Sequence, residues 1–78
     1  MMDHWMWLDK KQYGDRAGWY KCRVIKPHPV MRDLVLVKMI GWSNQHWHLK
    51  KNVKTTLELF VMGINAEQQY EQLMKQDG

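Results

Sequence analysis

The chain holds a single cysteine, Cys22, in 78 residues. One cysteine excludes an intramolecular disulfide, so no covalent framework supports the fold. Proline is scarce as well. Pro27 and Pro29 are the only two, and they punctuate one short segment. Long hydrophobic runs are missing. Leu34–Val37 and Leu59–Met62 are four residues each, against the roughly 20 needed for a membrane helix. Asp3 and His4 interrupt the N-terminus and argue against a signal peptide. Together these absences point to a reducing, intracellular setting, cytoplasmic or nucleoid/nuclear.

Acidic residues are nearly missing from the middle of the chain. Residues 10–54 hold eleven Lys/Arg against Asp15 and Asp33, a net of +9, while the flanking ends are acidic. Such a body favours a polyanion or an acidic protein surface as partner. Aromatics, by contrast, are plentiful: five Trp, three Tyr and one Phe. A chain this short makes one domain, 1–78, with a small core. Some of its rings should therefore remain at the surface, where they anchor partners or stack on bases.

Alternation sets out the strands. His4–Leu8 reads as a short strand with Trp5 and Trp7 on one face and Met6 and Leu8 on the other. Lys10–Gly18 reads as a polar loop. Trp19–Ile25 places Tyr20, Cys22 and Val24 on one face and Lys21 and Arg23 on the other. Leu34–Ile40 suits a central strand buried on much of both faces, and Gly41 lets the chain turn. Trp47–Leu49 and Leu57–Met62 read as further strands. Asn65 then caps a helix to about Gln76, with Ala66, Tyr70, Leu73 and Met74 as its apolar stripe. The expected fold is mainly β with one C-terminal helix: a small SH3-like barrel over 4–62 and a helix over 65–76.

Leu36-Val-Lys38 with Gly41-Trp-Ser43, the opening strand Trp19–Ile25, Asn52-Val53 and the C-terminal helix resemble the chromodomain pattern. That family forms a chromo-like barrel. It binds methylated lysine in an aromatic cage, and some relatives bind nucleic acid. By position Tyr20 matches a cage aromatic and Trp42 the aromatic after Gly. Met39 stands where the family has its cage tryptophan, and Lys50 and Lys51 stand where it has acids. The resemblance thus implies the barrel more than the ligand, because a cation site needs aromatic walls and few nearby positive charges.

No catalytic constellation stands out. The acids are scattered, no glycine-rich phosphate loop is present, and Cys22 falls on the inward face of its strand. His46 and His48 share a strand face, yet no second spaced pair completes a four-ligand metal set. No cofactor is implied.

What remains is the interleaving of aromatic and basic residues. Trp19, Lys21, Arg23, Lys38, Trp42, His46, Lys50, Lys51 and Lys54 are the candidate binding residues. Of the two loop tryptophans, Trp42 is expected at the binding surface and Trp47 packed inward with Leu49. The reading is a non-enzymatic nucleic-acid-binding module. The alternative is a protein-interaction module or a small inhibitor, whose size fits a phage or mobile-element protein as well as a host one, docking on an acidic surface of a larger nucleic-acid-handling protein.

Overall fold

The computed structural model describes residues 3–75. Five strands form one antiparallel sheet: β1 (His4–Leu8), β2 (Gly18–Pro27), β3 (Leu34–Met39), β4 (Gln45–Leu49) and β5 (Val53–Thr55). Their spatial order is β4-β3-β2-β1-β5. Helix α1 (Lys10–Tyr13) lies between β1 and β2, and α2 (Thr56–Val61) and α3 (Ala66–Lys75) follow the sheet. Gln76, the expected end of the last helix, lies outside the described residues.

The order of strands forces curvature. β4 and β5 are opposite edges of the sheet, yet only a 3-10 turn, Lys50–Asn52, joins them. Four strand spacings in a flat sheet would separate the edges by about 19 Å. A 3-10 segment rising about 2 Å per residue covers less than half of that. The sheet must curl to bring its edges near each other. A bulge at Ile25, between the pairs Val24–Val37 and Lys26–Leu36, supplies a bend of the required kind in β2. One cavity is lined both by Met6, Trp7 and Leu8 of β1 and by His48 and Leu49 of β4, although two strands separate them in the ladder.

Cross-strand register sorts the side chains. Met6, Leu8, Tyr20, Cys22, Val35, Val37 and Met39 share the inner face and form the main core with Leu73 of α3. The outer face carries Trp5, Trp19, Lys21, Arg23, Leu36, Lys38 and Trp47. Trp5 and Trp19 form a second cluster with Leu59 of α2 and Ala66 of α3. Tyr70 ties the clusters together, edge-on to Trp5 at 5.6 Å and to Tyr20 at 5.9 Å. Gly18 is required where α3 crosses β2, since a Cβ there would lie 2.9 Å from Leu73 Cδ1.

Several expectations hold: the faces of β1 and β2, the buried Cys22, and the Asn65 cap, whose Oδ1 accepts from the Gln68 amide at 3.2 Å. Others need correction. Leu57–Met62 is no strand. Thr55 and Glu58 form a reciprocal capping box, with bonds of 3.1 and 3.0 Å, that starts helix α2 instead. Residues 10–18 are not a plain loop, because Asp9 caps α1 and a 3-10 turn follows it. β3 is buried fully on one face and only partly on the other. Its burial alternates, with Val35, Val37 and Met39 inside and Leu34, Leu36 and Lys38 only half covered. Strand β5 was not foreseen at all.

Candidate nucleic-acid interface

The outer face of the sheet is covered over β1 and the start of β2, and bare over the rest. On the bare part, register builds rows across β2, β3 and β4. Arg23 sits opposite Lys38, and Lys38 opposite Gln45. Next comes Lys26 opposite Leu36, and Leu36 opposite Trp47, then Leu34 opposite Leu49. Trp47 thus stands beside Leu36 on an uncovered face, with 39% of its surface exposed. His28 holds the Trp47 ring edge-on at 4.6 Å. Its Nδ1 in turn accepts from the Val30 and Met31 amides, at 3.1 and 2.9 Å, which fixes the imidazole on its turn. The Lys50 amide donates to the Asp33 carbonyl at 2.7 Å, placing Lys50 at the same end of the sheet.

Arg23 and Lys38 carry the electrostatic signal. They are direct cross-strand neighbours of like charge. Among the described residues neither makes a salt bridge. Like charges directly opposite each other disfavour a sheet, so this pair weakens the fold it sits in. No outward position of β2, β3 or β4 carries a carboxylate. Asp3, just before β1, lines a pocket with Arg23 and lies 3.9 Å from Lys21.

Trp19 and Trp47 are placed otherwise than expected, and two further candidates, His46 and Lys21, are set apart from the bare face by register or by pairing. Trp19 is buried against Trp5, Leu59 and Ala66, with Trp7 5.3 Å away, and offers no ring for stacking. Trp47 is not inward: the register gives β4's inner positions to His46 and His48, opposite Val37 and Val35, and its outer position to Trp47. β4 is an edge strand, so its inner side chains meet only the rim of the core and polar ones are tolerated there. His46 therefore faces away from Arg23, Lys38 and Trp47. Lys21 does share their face, but its Nζ lies 3.4 Å from Glu67, 3.9 Å from Asp3 and 5.4 Å over the Trp5 ring. Its charge is already matched.

Lys50, Lys51 and Lys54 are neighbours in the chain and not one patch in space. Lys51 is exposed and lines the cavity that holds Trp7 and His48. Lys54 sits opposite Trp5 on β5 and is half covered. Trp42 is exposed, as expected, but away from Trp47. It lines an open pocket of about 540 Å³ with Tyr13, Tyr20, Tyr70 and Met74. Tyr20 and Trp42 are thus brought together, while the Tyr20 hydroxyl is engaged in donating to the Arg16 carbonyl at 2.6 Å. The residues missed from sequence are Lys26, His28, Leu34, Leu36 and Leu49. Parity in β3 held a signal, because Leu34 and Leu36 share the face of the charged Lys38. Nothing in the sequence marked His28.

The remaining reactive groups offer little chemistry. Burial pushes the Cys22 thiol up to about 12, which leaves it protonated and inert. Burial, and then the neighbouring His46, lowers the affinity of His48 for a proton. Among the described residues no group of three His, Cys, Asp or Glu side chains could hold a metal ion, and no helix is long and apolar enough to cross a membrane.

No protein-family profile, characterised protein or solved structure matches this chain.

Proposed function

We propose that the bare outer face of β2, β3 and β4 binds single-stranded nucleic acid, without catalysis, and that the curled sheet is an SH3-like barrel of the chromo-like kind. The like-charged Arg23–Lys38 pair, which makes no ion pair among the described residues, carries the reading. A like-charge pair that costs stability is accounted for by a polyanion that neutralises it. Lys26 and Lys50 extend the positive track, and Trp47 with Leu36 supplies an apolar platform between the charges. Exposed aromatics on a sheet face suit unstacked bases, whereas reading a duplex groove needs a projecting element. The 3-10 link between β4 and β5 supports the barrel reading.

The alternative partner is an acidic protein surface, which the same charges would also attract. Specific support for it comes from the pocket of Tyr13, Tyr20, Trp42 and Tyr70, a ready socket for an anchoring side chain.

Fluorescence anisotropy with labelled single-stranded and duplex oligonucleotides, titrated against salt, separates these. Single strands should bind more tightly than duplex. About four phosphate contacts should give a log–log salt slope near −3. Absence of binding to either at low salt refutes the proposal and leaves the acidic protein.

A further inference from the structure

Helix α2 presents a second surface with a different chemistry. Leu57, Phe60 and Val61, at i, i+3 and i+4, form one stripe along it, and Met62 follows at its end. Their exposures are 67%, 73%, 79% and 57%. Leu59 and Thr56 are the residues of this helix that turn inward, Leu59 into the core and Thr56 to the Trp5 indole. The four side chains leave on the order of 500 Å² of apolar surface in water, at the top of what a monomer ordinarily exposes.

The charge around the patch is also distinct. Residues 55–74 contain three Glu and no Lys or Arg. Three other exposed apolar side chains lie beside cations: Ile25 precedes Lys26, Met31 precedes Arg32, and Trp47 shares its row with Lys26. Two copies of a body with a +9 centre repel each other across most of their surface. At α2 the basic charge nearest the patch is partly offset, since Lys54 acts on Glu58 and Lys21 pairs with Glu67.

From this we infer that the protein forms a homodimer in which the α2 stripes of two copies pack on each other. Complete pairing of two such patches removes roughly 1,000 Å² in all, the low end for a specific interface and the size of a weak, reversible dimer. A two-fold arrangement is self-complementary, because one short stripe meets its own copy. It leaves both β2–β3–β4 faces free. The inference does not depend on what those faces bind.

The test is sedimentation equilibrium of nuclease-treated, nucleic-acid-free protein over a wide concentration range. The expected result is a concentration-dependent rise from 9.5 kDa toward twice that mass. Phe60→Asp should weaken association by more than about tenfold, and Val61→Lys should do the same through a different charge. Both side chains are exposed, so both variants should keep the wild-type circular dichroism. Trp47→Ala should leave the dimer unchanged. Raising salt should not dissociate it, as befits an apolar contact. A 9.5 kDa species at every concentration overturns the inference. So does a dimer that survives Phe60→Asp and is lost in Trp47→Ala, since that would place the contact on the sheet.

Discussion

Trp19 and Trp47 point to the same outer face of one sheet, two strands apart. Trp19 lies under α2 and α3, with Leu59 and Ala66 against it, while Trp47 lies open to water beside Leu36. The lysines divide in the same way. Lys21 is matched by Asp3 and Glu67, whereas Lys38 faces Arg23 and neither makes an ion pair among the described residues. Composition is alike in the two halves, so composition does not decide which half is core. The chain after β5 decides it. That segment brings apolar and acidic side chains to one half only, and it turns tryptophan and lysine there into structure. The same residue types left uncovered form a surface suited to a partner.

The largest effect should separate buried from bare tryptophan. Trp5 is fully buried, and its indole N–H donates to the Thr56 hydroxyl at 2.7 Å. Trp5→Ala should lose about 3–5 kcal/mol, as large core truncations do. That is comparable to the whole stability of a domain this small, so urea titration should find it mostly unfolded. Trp47→Ala should stay folded, losing less than about 1 kcal/mol of stability. Equal loss in both variants would mean that the two halves of the outer face are alike after all.

Binding should show the reverse order. Trp47→Ala should weaken single-strand affinity by about 1–3 kcal/mol, a factor of roughly 5 to 150. Trp5→Phe, which keeps an aromatic ring in the core, should leave affinity within about twofold wherever it folds. An unchanged affinity in Trp47→Ala would remove the stacking platform from the proposal and leave charge alone.

Most of the sheet was legible in the sequence, because alternation reports faces directly. Tyr20, Cys22 and Val24 against Lys21 and Arg23 needed nothing beyond period two. The helix Ala66–Lys75 was legible from its stripe and its Asn65 cap. Helix α2 was misread because Leu57–Met62 is apolar on nearly every side, so periodicity was silent. The Thr55–Glu58 capping spacing was present and would have settled it. The site was harder to read. Whether Trp19 or Trp47 is covered depends on where α2 and α3 land, and that is a property of the tertiary fold. The inward His46 and His48 follow from the register of β3 with β4, which hydrophobicity alone assigns the wrong way round.

Charge should sharpen the comparison with effects of opposite sign. Replacing one member of the Arg23–Lys38 pair relieves a cross-strand repulsion. Arg23→Gln should therefore raise stability by about 0.2–1 kcal/mol. It should also weaken nucleic-acid binding and make the salt slope shallower by about 0.7 for a single strand. Lys21→Gln removes a matched, partly exposed charge, so it should lower stability by at most about 1 kcal/mol and leave the slope unchanged. Thermal melts and salt titrations on the two variants read both quantities. Should Arg23→Gln destabilise the fold, the pair is compensated in solution and the argument for a polyanion weakens.

The smallest effect belongs to the two sides of β4. Trp47 on the outer side does not titrate. On the inner side His48 binds a proton less readily in the folded chain than in the unfolded one, because it is partly buried and lies near His46. A histidine with a lowered folded pKa takes up its proton first in the unfolded state. Folding stability should then be level above the unfolded histidine value of about 6.5 and should fall as the pH drops below it. This decline precedes the one expected from Glu58. Its carboxylate is held below the usual range, chiefly by the Thr55 amide and hydroxyl, and it should weaken α2 only in more acid solution. The two steps are therefore separable along the pH axis. Urea midpoints measured from pH 7.5 down to pH 5 should show the histidine step in the wild type. His48→Gln, which cannot take up the proton, should flatten it while leaving single-strand affinity near wild type at neutral pH. A step that persists in His48→Gln and disappears in His46→Gln would move the burden to the more exposed ring, and β4 would then lean further into the core than its register implies.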